Sequence, residues 1–392
     1  MSDVITEARA VVIDNGTGFT KVGFSSDDKP KDIFPTIVGI PKFVPLLFSQ
    51  PTTLKEVYVG HEALRMRGLL KLIYPMEHGI IKDWDAMEQI WRYIFRDILG
   101  VNPARHPVLL TEPPLNPRSN REKMAEIMFE TFKVPALYIG MQALLSAYAV
   151  EKTTALILDI GDGTTHAVPI YNGFVLVHAI RRSNLGGRDV TDFLARLLVE
   201  RGLTLGGSGG RELVRTIKEK VCYVALDPRD EIKSVEKMTY ELPDGSSIEI
   251  EEERFMAPEV LFTPGLIGKD VPSVQEVVFE SIMACDMHFR KPLFENIVLS
   301  GGTTLLPGLR ERLQRELKAM LKDRGFDIEV NIIAPPDRQF TVWKGGSKLA
   351  SLPEFRKAWI TREEYEENPA IIHRVVARAT LLEYFEYLRQ AA

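Results

Sequence analysis

Two stretches of the chain repeat one pattern of apolar and polar positions. In VVIDNGTGFTKVGF (11–24), a β-branched run, Val11–Ile13, ends in Asp14. A Gly-x-Gly turn follows, and then a second strand-like run, FTKVGF. In LILDIGDGTTHAVPI (156–170), Leu156–Leu158 ends in Asp159, again before a Gly-x-Gly turn and a second run, THAVPIY. Each predicts strand, turn, strand. Their recurrence across about half the chain implies an internal duplication, two αβ lobes facing each other. Elsewhere strand-like runs alternate with longer helical patterns, which favours an α/β architecture with parallel strands.

Helical spacing marks 87–99 (MEQIWRYIFRDIL), with Asp83 and Asp85 as caps, and 120–132 (NREKMAEIMFETF), with Asn120 in the N-cap position after Pro117. The stretches 187–202 and 308–325 both end at glycine, as helices often do, and 273–289 is another helix. Residues 203–210 (LTLGGSGG) read as a loop tip. Residues 240–255 read as a hairpin turning at Asp244-Gly245. In 41–60 three prolines interrupt an apolar stretch, which argues against a regular strand. Phe43, Leu46, Leu47 and Phe48 there are either core or an exposed partner contact.

Composition narrows the class. The 392 residues are 45% hydrophobic and 26% charged, as in an ordinary globular protein of two or three domains. A net charge of -5 gives no general basic footprint for nucleic acid. The two cysteines, Cys222 and Cys285, sit in helix-like surroundings and read as buried thiols in a reducing compartment. MSDVITEARA lacks the form of a signal peptide, and no run reaches the length of a membrane span. The expectation is a cytoplasmic protein without a transmembrane segment.

The two Asp–Gly turns suggest phosphate chemistry. Glycine lets backbone N–H groups turn inward to line an anion. Gly16 and Gly18, with Gly161 and Gly163, can grip a phosphate chain from both sides. Thr17, Thr164 and Thr165 can donate hydroxyl hydrogen bonds, and Lys21 can place one positive charge. Asp14 and Asp159 would repel phosphate directly and so need a cation between, for which hydrated Mg²⁺ is the natural bridge. One such turn alone is usually only a tight turn; the pair carries the signal. There is no P-loop and no Gly-x-Gly-x-x-Gly opening a helix. A third apolar strand ends in Ser300-Gly301-Gly302-Thr303, glycines that permit close approach to a flat base or ribose.

With three such turns in this order, the chain resembles the actin family, within the ATPase superfamily that also holds sugar kinases and heat-shock chaperones. The resemblance runs over nearly the whole length. It is carried by TEPPLNPRSNREKMAEIMFETF, DIGDGTTHAVPIYNGF, GGRDVTDFL, IKEKVCYVALD, LPDGSSIEI, ERFMAPEVLF, LSGGTTLLPG, IIAPPDRQFTVWKGGSKLASL and WITREEY, in the family's order. It implies an actin-like ATPase fold of two duplicated α/β domains around a nucleotide cleft. Residues 1–35, 75–149 and 341–392 would form the first large subdomain, with 36–74 inserted. Residues 150–185 and 270–340 would form the second, with 186–269 inserted. The chain would cross between domains near 142–150 and 337–345.

The resemblance also implies roles. Asp14, Gly16, Thr17, Gly18 and Lys21 match the first phosphate loop; Asp159, Gly161, Asp162, Gly163 and Thr164 match the second. Gly187, Arg215, Lys218 and Glu219 match positions around ribose and adenine, and Gly301, Gly302 and Thr303 match the nucleoside loop. The cofactors would be ATP or ADP with Mg²⁺, for which Ca²⁺ can substitute, held by Asp14 and Asp159 through water. Gln142 and His166 match the residues that place the attacking water; read alone, they are a helix-surface amide and a satisfied core histidine. His78, Asn116 and Arg182 match the phosphate exit region, or simply hold an inter-subdomain contact. The implied activity is slow ATP hydrolysis that quickens as the protein polymerises with itself through the 41–56 loop and the 262–272 segment. Regulators of profilin, cofilin or gelsolin type would dock at a groove lined by Tyr148, Gly173, Leu349, Leu352 and Phe355. The location would be cytoplasmic and cytoskeletal. The alternative is a non-polymerising, nucleotide-binding subunit of a larger complex.

Several positions depart from the family. Gln339 stands where actin has a lysine near the adenine, and Leu306 where it has a tyrosine. The 41–56 loop is longer, Lys269 occupies the tip of a segment that is apolar in actin, and the acidic amino terminus of muscle-type actin is missing. Lys269 implies filament contacts that are weaker or salt-dependent. Past IIHR the chain continues with Val375, Ala379, Leu382 and Phe385 at helical spacing. That segment reads as a helix packed on its own domain, or else as one that covers the groove or meets a neighbour. An archaeal source fits these departures.

Overall fold

The computed structural model describes residues 8–42, 55–203, 207–242 and 245–373, with the side chains of 207–209 set aside. The 41–56 loop (beyond residue 42 and before 55), the Asp244 half of the hairpin turn and the helix expected after residue 373 lie outside the described residues. The chain divides into two units. The first comprises residues 1–154, 170–175 and 340–392; the second comprises 155–169 and 176–339.

In the first unit the sheet is built on β1 (Val11–Asn15), β2 (Phe19–Phe24), β3 (Asp32–Pro35), β4 (Val108–Glu112) and β5 (Ala136–Met141). The order is β5-β4-β1-β2-β3, with the short strand Ile360–Thr361 outside β5. β1 runs parallel to β4, and β4 to β5, while β2 and β3 are antiparallel additions. Every residue of β1 and β4 is buried, which is why both read as continuous apolar runs rather than alternating ones. Helices Gln142–Ala149 and Thr341–Ser351 cover this sheet as a crossing pair. Their approach requires Gly345: a Cβ there would lie 1.8 Å from the Leu145 carbonyl oxygen. Trp343 is fully buried and donates its indole N–H to Val12 O at 3.0 Å, fixing the helix on β1. The described part of 36–74 carries its own three-stranded sheet, Val38–Pro41, Tyr58–Val59 and Leu70–Ile73, over a small core of Ile37, Tyr58, Ala63, Leu64 and Leu70.

The second sheet repeats the plan with β6 (Ala155–Ile160), β7 (Thr165–Tyr171), β8 (Arg181–Ser183), β9 (Ile297–Ser300) and β10 (Ile332–Ile333), in the order β10-β9-β6-β7, with β8 and the short strand Phe174–Val175 both paired to β7. β6 is parallel to β9, β9 is parallel to β10, and β7 is antiparallel to β8. The duplication read from two stretches, 11–24 and 156–170, thus extends to five strands each, with matching order. The sheets are mixed rather than all parallel, because each carries a hairpin on one side of its central strand. One core, from Leu156 through Phe255-neighbouring Ala257 to Ile332, runs through the sheet and the helices of 186–269 alike.

Several local expectations need correction. The helix expected from an Asn120 cap begins at Arg118, because the Pro117 carbonyl accepts the N–H groups of Asn120 and Arg121 and the proline ring presets the entry. Asn120 spends its side chain on Ile81 O at 3.3 Å. The stretch 273–289 is two helices, Val274–Met283 and Met287–Phe294, parted where Asp286 leaves helical backbone (ψ 147°). Residues 207–210, read as loop, open the helix Gly207–Val221, whose amphipathic run carries the glycines along. The hairpin strands are Met238–Glu241 and Ser247–Ile250; the chain is helical again by Glu253. Asp83 does cap its helix, accepting from Ala86 N at 2.9 Å, and that helix passes into wider π-type turns at Ile94–Leu99.

Candidate functional site

In the first unit the β1–β2 register pairs Asp14 with Lys21 across the hairpin. Asp14 is 1% exposed, and both its oxygens are engaged. Oδ2 accepts from Lys21 Nζ at 2.8 Å, and Oδ1 accepts from Thr111 Oγ1 at 2.8 Å. Thr111 arrives from β4, the parallel neighbour, and its hydroxyl also accepts Asn15 N at 3.0 Å. The loop beyond is braced from outside. Thr36 Oγ1 donates to Gly16 O at 2.7 Å, Thr36 N donates to Gly18 O at 3.0 Å, and Gly79 N donates to Thr17 Oγ1 at 2.8 Å.

Gln142 is the first residue of its helix, and its side chain turns into this cluster rather than out to solvent. Nε2 stands 3.3 Å from both Asp14 Oδ1 and Asn15 O, and 3.4 Å from Thr111 Oγ1. His78, in left-handed backbone at φ 47°, is the neighbour of Gly79. Asn116 donates to Glu112 Oε2 at 3.0 Å, beside the ion pair of buried Glu112 with half-buried Arg121.

In the second unit Asp159 opens the equivalent turn, and its Oδ2 accepts from Ser300 Oγ at 2.7 Å. Ser300 pairs with Asp159 on the parallel neighbour β9, the place Thr111 holds beside β1. The loop is then gripped by two other turns. Gly161 O accepts from Gly187 N at 3.0 Å and Thr303 Oγ1 at 2.8 Å; Asp162 O accepts from Arg188 N at 2.8 Å. The Arg188 guanidinium also pairs with Asp162 Oδ2 at 3.1 Å. Gly161 N closes the turn on Thr164 O at 2.9 Å. Gly301 is held at φ +87°, and a Cβ there would fall 2.4 Å from Ile160 O, so this position admits glycine alone. Gly302 next to it faces open space.

Lys218 is buried and donates to Gly187 O at 2.9 Å; burial pulls its pKa below the usual lysine range. Arg215, one turn earlier, pairs with Glu212, while the Glu219 side chain is 55% exposed and reaches Arg215 only at 3.9 Å. Among the second unit's expected residues, Gly161, Asp162, Gly187, Lys218 and Thr303 therefore belong to one hydrogen-bonded set, with Gly301 packed against Ile160 and Asp159 on Ser300 beside it. Glu219 stands at its exposed edge.

His166 is the seventh residue after Asp159, as Lys21 is the seventh after Asp14. It is 4% exposed, and its Nε2 has no hydrogen-bond partner among the described residues. Burial, and then the nearby Arg182 charge, push its pKa down to about 3, so the ring is neutral at ordinary pH. It is a core histidine by location but not a satisfied one. Arg182, for its part, donates to Asn184 Oδ1 at 3.2 Å.

Of the groove residues, Tyr148, Leu349 and Phe355 are buried and Leu352 is half-buried. The Phe355 ring lies edge-on to Tyr138 and Trp359. Lys269 turns inward to Asp189 Oδ1 at 2.6 Å. Among the described residues no three histidine, cysteine or acidic side chains gather into a metal-holding group. A magnesium ion that arrives with phosphates needs only one or two carboxylates and so requires no such group. No helix among the described residues is long and apolar enough to cross a membrane. Cys222 and Cys285 are free and buried, and burial pushes their thiols up to about 12 and about 11.

Sequence reasoning missed Thr111, Arg188 and the hydroxyl role of Ser300. A usable signal existed for two of them: each follows an apolar run (VLLTE, IVLS) of the kind that precedes Asp14 and Asp159.

Two copies of one mixed sheet, each ending its central strand in a carboxylate held by a neighbouring hydroxyl and continuing into a glycine hairpin, define an α/β nucleotide-binding fold of the actin-like ATPase type. The family model for actin matches residues 5–377. The chain belongs to the actin family, and is an actin-like nucleotide-binding protein.

Proposed function

We propose that this protein binds Mg-ATP through the loops at Asp14–Gly18 and Asp159–Thr164, assembles into filaments, and hydrolyses the nucleotide slowly until assembly quickens the reaction. The observation that carries the reading is the character of the two candidate water-placing groups: a strapped amide, Gln142, and a buried imidazole kept neutral, His166. Phosphoryl transfer depends on positioning and charge stabilisation more than on a strong base. Gln142 can hold a water through its amide oxygen while Nε2 stays on Asp14. His166 can accept a hydrogen bond at its unpartnered Nε2 and cannot compete for a proton at neutral pH.

Bound with the nucleotide, magnesium supplies neutralising charge to the phosphates. Lys21 would offer its charge to a phosphate oxygen, and the Asp14 carboxylate beside it would orient the ion's waters. The Gly301-Gly302 turn, open at Gly302, would lie against the nucleoside, with Gly187, Lys218, Arg215 and Glu219 toward its base and ribose. A set of orienting groups with no strong base gives a slow reaction in the free subunit. Only contacts that differ between free and assembled forms can change that barrier. The 41–56 and 262–272 segments are the proposed sources of such contacts, and the groove at Tyr148, Leu349, Leu352 and Phe355 is the proposed dock for regulators. The setting is a cytoplasmic cytoskeleton.

Sedimentation with Mg-ATP, followed alongside phosphate release, tests this. The expected result is a pellet whose growth precedes phosphate release. Bound ATP with no pellet across salt conditions would support the fixed subunit of a larger complex instead. In the same assay Gln142→Ala is expected to slow hydrolysis about 10- to 100-fold while ATP affinity changes less than about threefold. A large loss of affinity would remove Gln142 from its role.

A further inference from the structure

We propose that Lys269 is a positioning residue for the phosphate loop of the second unit, acting through Asp189 from an exposed turn. The turn is short: a single 3₁₀ stretch, Pro264–Ile267, closed by Gly268 at φ +69° and by Lys269 N on Pro264 O at 3.3 Å. Leu266 at its tip is 39% exposed. From here Lys269 Nζ reaches back to two acceptors, Asp189 Oδ1 at 2.6 Å and Asn184 O at 3.0 Å.

Asp189 divides its carboxylate between two tasks. Oδ1 takes Lys269, and Oδ2 accepts Gly186 N at 2.8 Å while Asp189 N returns to Gly186 O at 3.1 Å. This reciprocal cap fixes the turn Gly186–Arg188 at the start of the helix Gly187–Glu200. That turn is the piece that grips the loop, through Gly187 N on Gly161 O, Arg188 N on Asp162 O and the Arg188–Asp162 ion pair. The line from the surface to the loop is continuous: Lys269, Asp189, Gly186–Arg188, Gly161-Asp162.

The plain alternative is a surface ion pair of little consequence. Three facts favour more. The Asp189 side chain is only 14% exposed, Lys269 has two acceptors rather than one, and the shared carboxylate is the cap itself. Without the lysine, Asp189 keeps the cap with one oxygen while the other is drawn toward water, so the turn loses its orientation without losing its fold. A lysine in this position also moves the salt sensitivity expected of the 262–272 segment to the loop within the subunit. The effect on ATP rests on the nucleotide-binding reading above; the effect on the loop does not.

Hydrogen exchange of the full chain without nucleotide, at low and high ionic strength, tests the link. In Lys269→Gln the amides of 186–190 are expected to exchange about two- to fivefold faster than in the wild type. Lys269→Arg should restore protection, and raised salt should speed exchange there in the wild type but not in Lys269→Gln. Release of a fluorescent ATP analogue should follow the same order. Unchanged exchange at 186–190, or a rise spread evenly over the second unit, would overturn the proposal. If the analogue fails to bind while the exchange difference stands, the nucleotide reading fails and the link survives.

Discussion

The two hairpins share a plan and differ in what holds it. In the first unit Asp14 is tied by side chains: a lysine across the hairpin, a threonine from the parallel strand and the Gln142 amide. In the second, Asp159 has the corresponding hydroxyl from Ser300, but its loop is held largely by backbone, with Gly187, Arg188 and Gly301 packed against Gly161, Asp162 and Ile160. The position seven residues past the carboxylate concentrates the difference. Lys21 brings charge to one copy, and His166, neutral and with a bare Nε2, brings a directional acceptor to the other. Duplication thus supplied the same geometry twice, and the seventh position carries a cation in one copy and a neutral acceptor in the other.

That contrast can be broken most forcefully at Gly301. A methyl group there meets Ile160 O in a backbone conformation that disfavours any side chain, so Gly301→Ala should cost roughly 3–5 kcal/mol in urea unfolding of the second unit. A cost near zero would show that the backbone does not hold this loop. Asp14→Asn leaves Lys21 against a neutral amide inside the protein and should cost about 3 kcal/mol. A cost near zero would remove the Lys21–Asp14 pair from what holds the first turn.

A smaller effect follows from His166. Its pKa is lowered to about 3 in the folded protein against 6.5 when free, so between those values the unfolded chain binds the extra proton. Its contribution to stability is therefore present above about pH 6.5 and is lost as pH falls toward 3. His166→Asn should flatten that part of the acid-unfolding curve, and hydrolysis should show no titration of this ring between pH 6 and 9; an unchanged acid limb in the variant would contradict its burial in the neutral form.

Much of this was legible in the chain itself, for identifiable reasons. Val11–Ile13 and Leu156–Leu158 read as strands because both faces of a central strand are buried, which leaves an uninterrupted apolar run ending abruptly in a carboxylate. The Asp83 cap was legible because a cap acts within one turn of its own helix. Partners from elsewhere in the chain were not. Thr111 meets Asp14 across 97 positions and Ser300 meets Asp159 across 141, distances at which local periodicity carries no register. The inward turn of Lys269 was hidden for the same reason, since its acceptor lies 80 positions away. Asn120 misled because a good capping residue stood inside a helix already opened by Pro117.

The sharpest test of the divided roles is one paired measurement, ATP affinity and single-turnover hydrolysis on Lys21→Met and His166→Asn side by side. Lys21→Met is expected to lose affinity, at least about tenfold, with the rate of bound ATP far less changed, while His166→Asn is expected to bind ATP nearly as the wild type does and to hydrolyse it at least about tenfold more slowly. If both variants lose the same quantity, or if the histidine variant loses affinity and keeps its rate, the two hairpins do not divide the work as their geometry indicates.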